Sequence, residues 1–121
     1  MGVSATDLRR AVAFYALLGF SFPPFDDGED HVESSSPTAR LMIDTAELLT
    51  GLLGEPPRPG NTAAFAIRCA SPAQVDELAG RVSAAGHAVH TAPWDAPWGQ
   101  RYATVADPDG YRVDLYAPLE G

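Results

Sequence analysis

The chain has 121 residues, enough for one domain with one core that removes about two thirds of its unfolded surface from water without disulfide or metal staples. Hydrophobic residues are 45% and charged residues 20%, with eight basic against sixteen acidic side chains and a net charge of −8, which argues against disorder, against a nucleic-acid partner and against an anionic membrane surface. Cys69 is the single cysteine, so neither an intramolecular disulfide nor a thiolate-rich zinc site is expected. Apolar runs fall short of a membrane span, and the first residues lack the pattern of a secretory leader. A cytoplasmic protein with a small-molecule partner is the expectation.

Leu8, Val12, Tyr15 and Leu18 recur three or four apart, which predicts a helix over residues 7–18 with those side chains on one face. Thr6 or Asp7 can cap it, and Gly19 stands where a left-handed turn ends it. Phe20, Phe22 and Phe25 around Pro23 and Pro24 read as a strand that breaks into a loop. The acidic, serine-rich stretch 26–38 starts as a solvated turn. Residues 40–44 and 47–53 read as two short strands, the second also rich in helix formers. Three prolines and two glycines in residues 54–61 mark a linker.

The second half opens with an apolar strand over residues 62–68, with Phe65 and Ile67 on one face and Thr62, Ala64, Ala66 and Arg68 on the other. Ser71, Pro72 and Gln74 form a helix start in which serine caps, proline takes the first turn and glutamine reaches back. Val75, Leu78, Ala79 and Val82 supply the buried stripe, and Gly86 closes the helix. Residues 87–90 read as a strand. Residues 100–106 and 111–117 are two more, joined by an Asp107-Pro108-Asp109-Gly110 turn. Both halves thus follow one order: strand, capped helix closed by glycine, then three strands.

Asp7-Leu8, Phe14-Tyr15 and Leu18-Gly19-Phe20, with Trp98-Gly99-Gln100-Arg101, Asp107-Pro108-Asp109-Gly110 and Val113-Asp114-Leu115, resemble the opening and closing motifs of the vicinal oxygen chelate superfamily. Glyoxalase I, extradiol dioxygenases and bleomycin resistance proteins are among its members. The resemblance implies an α+β fold of two βαβββ modules forming cupped mixed sheets flanked by helices, residues 1–53 and 62–121 with the linker between. It also implies a homodimer with ligand sites inside the cupped sheets.

Enzymes of that superfamily chelate a divalent metal with His, Gln or Glu on inner strand positions. By the resemblance the closing glutamate is Asp114 here, and the histidine of the second module aligns with Thr62, a poor ligand. The first-strand ligand would fall at or before the start of this sequence. His31 reads as a solvated loop residue, while His87 and His90, three apart on one strand, point to opposite faces and cannot pinch one metal. No metal and no cofactor are expected.

The strand alternation leaves a pocket instead. Tyr102, Thr104 and Ala106 share one face, and Arg112, Asp114 and Tyr116 share another that the resemblance turns inward. Trp94 and Trp98, in a proline-stiffened loop, are candidates to stack on an aromatic ligand. Asp114 needs a cationic partner if buried, either Arg112 or the ligand. The expected ligand-binding set is therefore Thr62, Trp94, Trp98, Tyr102, Thr104, Arg112, Asp114 and Tyr116. The expected function is metal-free capture of an antibiotic or aromatic metabolite. A glyoxalase-like lyase or dioxygenase with non-standard ligands is the alternative.

Overall fold

A computed structural model describes residues 1–35 and 41–119. The elements, in chain order, are β1 (Gly2–Ala5), α1 (Leu8–Leu17), β2 (His31–Glu33), β3 (Met42–Thr45), α2 (Ala46–Leu53), β4 (Ala63–Arg68), α3 (Pro72–Ala84), β5 (Val89–Ala96), β6 (Gln100–Ala106) and β7 (Arg112–Pro118). They form an α+β fold with a three-stranded sheet in the order β1-β3-β2 and a four-stranded sheet in the order β4-β7-β6-β5.

The two sheets repeat one pattern. In each, the strand before the long helix pairs parallel with the last strand, as β1 with β3 and β4 with β7. The last strand then pairs antiparallel with its predecessor, as β3 with β2 and β7 with β6. The helices begin where their caps dictate. Asp7 accepts from the Arg10 N–H at the start of α1, and Ser71 accepts from the Gln74 N–H at the start of α3. Gln74 Oε1 reaches back to the Ala70 N–H at 2.6 Å.

The core is one cluster. Ala11, Phe14 and Tyr15 of α1 and Val75 and Val82 of α3 bury themselves with Ile43, Val105, Val113 and Leu115 of the two sheets. Phe65 and Ile67 pack against it from β4. The four-stranded sheet therefore has one covered face and one open face.

Four expectations are corrected. The phenylalanines at 20, 22 and 25 form no strand; Pro23 and Pro24 withhold N–H donors, and the rings pack on the core from an irregular segment. His31 lies on β2 and not in a loop. Residues 47–53 are helical in α2, because Thr45 Oγ1 accepts from the Leu48 N–H and Gly54, at φ 84°, supplies the left-handed stop. The first sheet accordingly has three strands among the described residues. The strand expected over 40–44 is β3; Arg40 and residues 36–38 of the acidic stretch lie outside the described residues. In the second half, the strand expected over 87–90 starts at Val89 and runs on to Ala96, leaving His87 outside it with its ring edge-on to Phe14 at 5.0 Å.

The halves are tied through the β6–β7 turn. Tyr15 Oη donates to the buried Asp107 carboxylate at 2.8 Å, which also accepts the Asp109 and Tyr111 N–H groups, both at 2.9 Å. Thr6 donates from its backbone and hydroxyl to Asp109. Burial pushes the Asp107 carboxyl above its usual range, so its donors are needed to hold it. Tyr15→Phe keeps the ring contacts and removes one donor; it is expected to cost about 1–3 kcal/mol and lower Tm by several degrees, read by urea and thermal unfolding.

Candidate functional site

β6 and β7 place the expected residues on the open face of the four-stranded sheet. Tyr102 pairs with Tyr116 and Thr104 with Asp114 across the two strands. On one side Tyr116 is opposite Arg68 and Asp114 opposite Ala66; on the other, Tyr102 is opposite Trp94. Alternate residues Val113, Leu115, Ala103 and Val105 face the core. Trp94 lies on β5 and Trp98 on the tight turn into β6, so the expected loop is a hairpin.

The rings form a ladder. Trp94 and Trp98 meet edge to face with centroids 5.6 Å apart, Trp98 and Tyr102 at 5.4 Å, and Tyr102 and Tyr116 lie stacked at 6.4 Å. Trp98 Nε1 donates to Gln100 Oε1 at 2.9 Å. Trp94 and Trp98 are 40% and 57% exposed, which leaves flat apolar area facing outward.

Asp114 is occupied. Its carboxylate accepts from the Tyr102 hydroxyl and, at 2.7 Å, from the Thr104 hydroxyl. Burial and the Asp114 hydrogen bond push the Tyr102 phenol up to about 12, so it stays a donor throughout the neutral range. The expected pairing with Arg112 is replaced: Arg112 donates to the Asn61 carbonyl at 2.9 Å. Thr62 is exposed just ahead of β4, apart from the ring ladder.

This donor set does not fit the chelated metal of the resemblance. A chelated ion needs several lone-pair donors converging on one point, whereas Asp114 stands between Ala66 on β4 and Thr104 on β6. Among the described residues no group of three His, Cys, Asp or Glu side chains is placed to hold an ion.

The repeat exposes a position that sequence reading missed. Asp44 on β3 stands opposite Ser4 and His31, as Asp114 on β7 stands opposite Ala66 and Thr104. Its partner is imidazole: His31 Nδ1 lies 2.5 Å from Asp44 Oδ1, and Nε2 lies 3.6 Å from Glu33. The pairing of β2 with β3 reveals this, and 3-residue β2 carried too little periodicity to be seen in advance. A cleft of about 400 Å³ beside β2, lined by Pro23, Phe25, Glu29, His31 and Glu33, is acidic and has its histidine already held by carboxylates.

The sequence profile of the Glyoxalase/Bleomycin resistance protein/Dioxygenase superfamily matches residues 1–115. The chain belongs to that superfamily. Solved members share its fold. An enzyme of the family from Burkholderia phytofirmans superposes with a TM-score of 0.83 at 18% identity, covering 98% of this chain and 96% of that one. A glyoxalase/bleomycin resistance protein/dioxygenase from Nocardioides gives 0.73 at 25% identity, with coverage of 100% and 82%. Lactoylglutathione lyase from Agrobacterium tumefaciens gives 0.70 at 20% identity, with coverage of 97% and 90%. No curated protein sequence matches. No helix among the described residues is long and apolar enough to cross a membrane.

The hydrogen bond to Asp44 raises the His31 pKa above 6.5 against the opposing effect of burial, and Glu33 adds to the rise. A raised imidazole stabilises the fold fully below 6.5 and loses that contribution as pH climbs through its folded value. His31→Gln is therefore expected to lower the urea midpoint most on the acid side of 6.5. The gap to wild type should close above the raised pKa.

Proposed function

We propose that this superfamily member captures a planar aromatic small molecule on the open face of its four-stranded sheet, without a bound metal. The observation that carries the reading is the ladder of Trp94, Trp98, Tyr102 and Tyr116 beside a carboxylate already hydrogen-bonded to two hydroxyls. Each favourable ring pair adds about 0.5–1.5 kcal/mol beyond area burial. Thr104, Tyr102 and Asp114 form a rigid polar floor, and Thr62 and Arg112 border the platform.

One sheet face gives a ligand one wall. A second copy of the chain closing over the exposed tryptophans would supply the other, so the capturing unit is a homodimer with the ligand in its cleft. Binding is stoichiometric, as sequestration of an antibiotic or an aromatic metabolite requires. The buried free thiol of Cys69 suits the reducing cytoplasm.

Elemental analysis of protein purified without chelator, before and after incubation with Mn, Fe, Ni, Co and Zn salts, tests the metal-free half of the proposal. Retained metal well below one equivalent is expected, and it should stay low in Asp114→Glu, because lengthening one acid supplies no imidazole. Near-stoichiometric metal would overturn the reading and select a glyoxalase-like lyase or a dioxygenase. A thermal-shift screen of aromatic compounds tests the other half. Trp98→Ala is expected to weaken any hit about tenfold.

A further inference from the structure

The geometry points to an aromatic anion as the ligand: Arg68, whose side chain meets no acid among the described residues, ends a cross-strand row whose other members are Tyr116, Tyr102 and Trp94. The inference rests on the proposed binding role of this face and names the chemical class it takes. One residue from each strand of the sheet enters the row, as Arg68 pairs with Tyr116, Tyr116 with Tyr102 and Tyr102 with Trp94. At the usual strand spacing the row spans about 14 Å, room for a fused ring system and a charged substituent in line.

Among the described residues, only the side chains of Arg68 and Arg10 meet no polar partner, and of the two Arg68 alone lies on the sheet. All eight basic residues of the chain are arginines. Among the described residues, Arg9, Arg58, Arg81 and Arg101 each meet a carboxylate, and Arg112 donates to a carbonyl. Arg10 lies on the exposed side of α1. The Arg68 side chain is exposed on β4 and, among the described residues, makes neither hydrogen bond nor ion pair, in a chain with sixteen acids. Its planar fork of N–H donors is free to take a carboxylate in two parallel bonds.

Asp114 does not contest that end of the row. It sits opposite Ala66, in the neighbouring row, and its oxygens turn to hydroxyls on β6, whereas Arg68 is on β4, across β7. A ligand with its rings over Tyr116 and Tyr102 thus directs an acidic substituent to the β4 edge. The free guanidinium there favours an anion over a neutral or cationic ring.

Isothermal titration of the full chain with 2-naphthoate and 2-naphthamide, the same rings with and without charge, tests this. Naphthoate is expected to bind about tenfold tighter, with the advantage shrinking as salt is raised. Arg68→Gln should bring naphthoate down to the naphthamide affinity and leave naphthamide unchanged, whereas Trp94→Ala should weaken both. Equal affinities, or an Arg68→Gln loss shared by both compounds, would overturn the anion inference and leave the binding role standing. If neither compound binds, including where sedimentation shows a second copy sealing the face, the binding role falls and the inference falls with it.

Discussion

Asp107 is the constraint on which the rest of the structure depends. Its buried carboxylate gathers the Tyr15 hydroxyl and two backbone N–H groups of its own turn. A buried acid without such donors would cost more than the turn could return. With them, one residue fixes the geometry of the β6–β7 hairpin and locks the hairpin to α1 of the other half. The register that results sets Tyr102 against Tyr116 and Thr104 against Asp114. The open face is thus organised from a point outside it, and Gly110, at φ 89°, lets the turn close tightly enough to do so.

The internal repeat shows two solutions to one problem. Asp44 and Asp114 hold equivalent places on the last strand of each sheet, where a carboxylate faces outward and needs partners. In the first sheet an imidazole provides them and makes the pair sensitive to pH; in the second, two hydroxyls provide them. Asp114 thus serves the second sheet as a hydrogen-bond acceptor. The acceptor also orients the Tyr102 ring, which is stacked on Tyr116.

Much of this was legible in the residues. Asp7, Ser71 and Gln74 announced both long helices through capping chemistry, and the alternation in β4, β6 and β7 assigned their faces. The Asp-Pro-Asp-Gly turn located the hairpin. What sequence reading left unresolved lies partly in local caps and partly in non-local pairing. Thr45 and Gly54 turn residues 47–53 into a helix, although the apolar run alone fits a strand equally well. Arg112 and Asp114 share a face two residues apart, yet the arginine goes to Asn61 and the acid to β6; only the register decides between those partners. Arg68 looked like any strand-end arginine until its row across the sheet was known.

The placement of the indoles has an optical consequence. The chain contains two tryptophans, and both stand on the open face, 5.6 Å apart and at 88° to one another. Its indole emission therefore originates at that face alone, with no background from the core. Two indoles this close and crossed also couple excitonically, and a couplet in the far-ultraviolet circular dichroism of the folded chain is the expected sign. A flat guest settling on the ladder would quench the emission and distort the couplet together, whereas a disturbance near β2 would leave both untouched. The molecule carries its own label where occupancy matters.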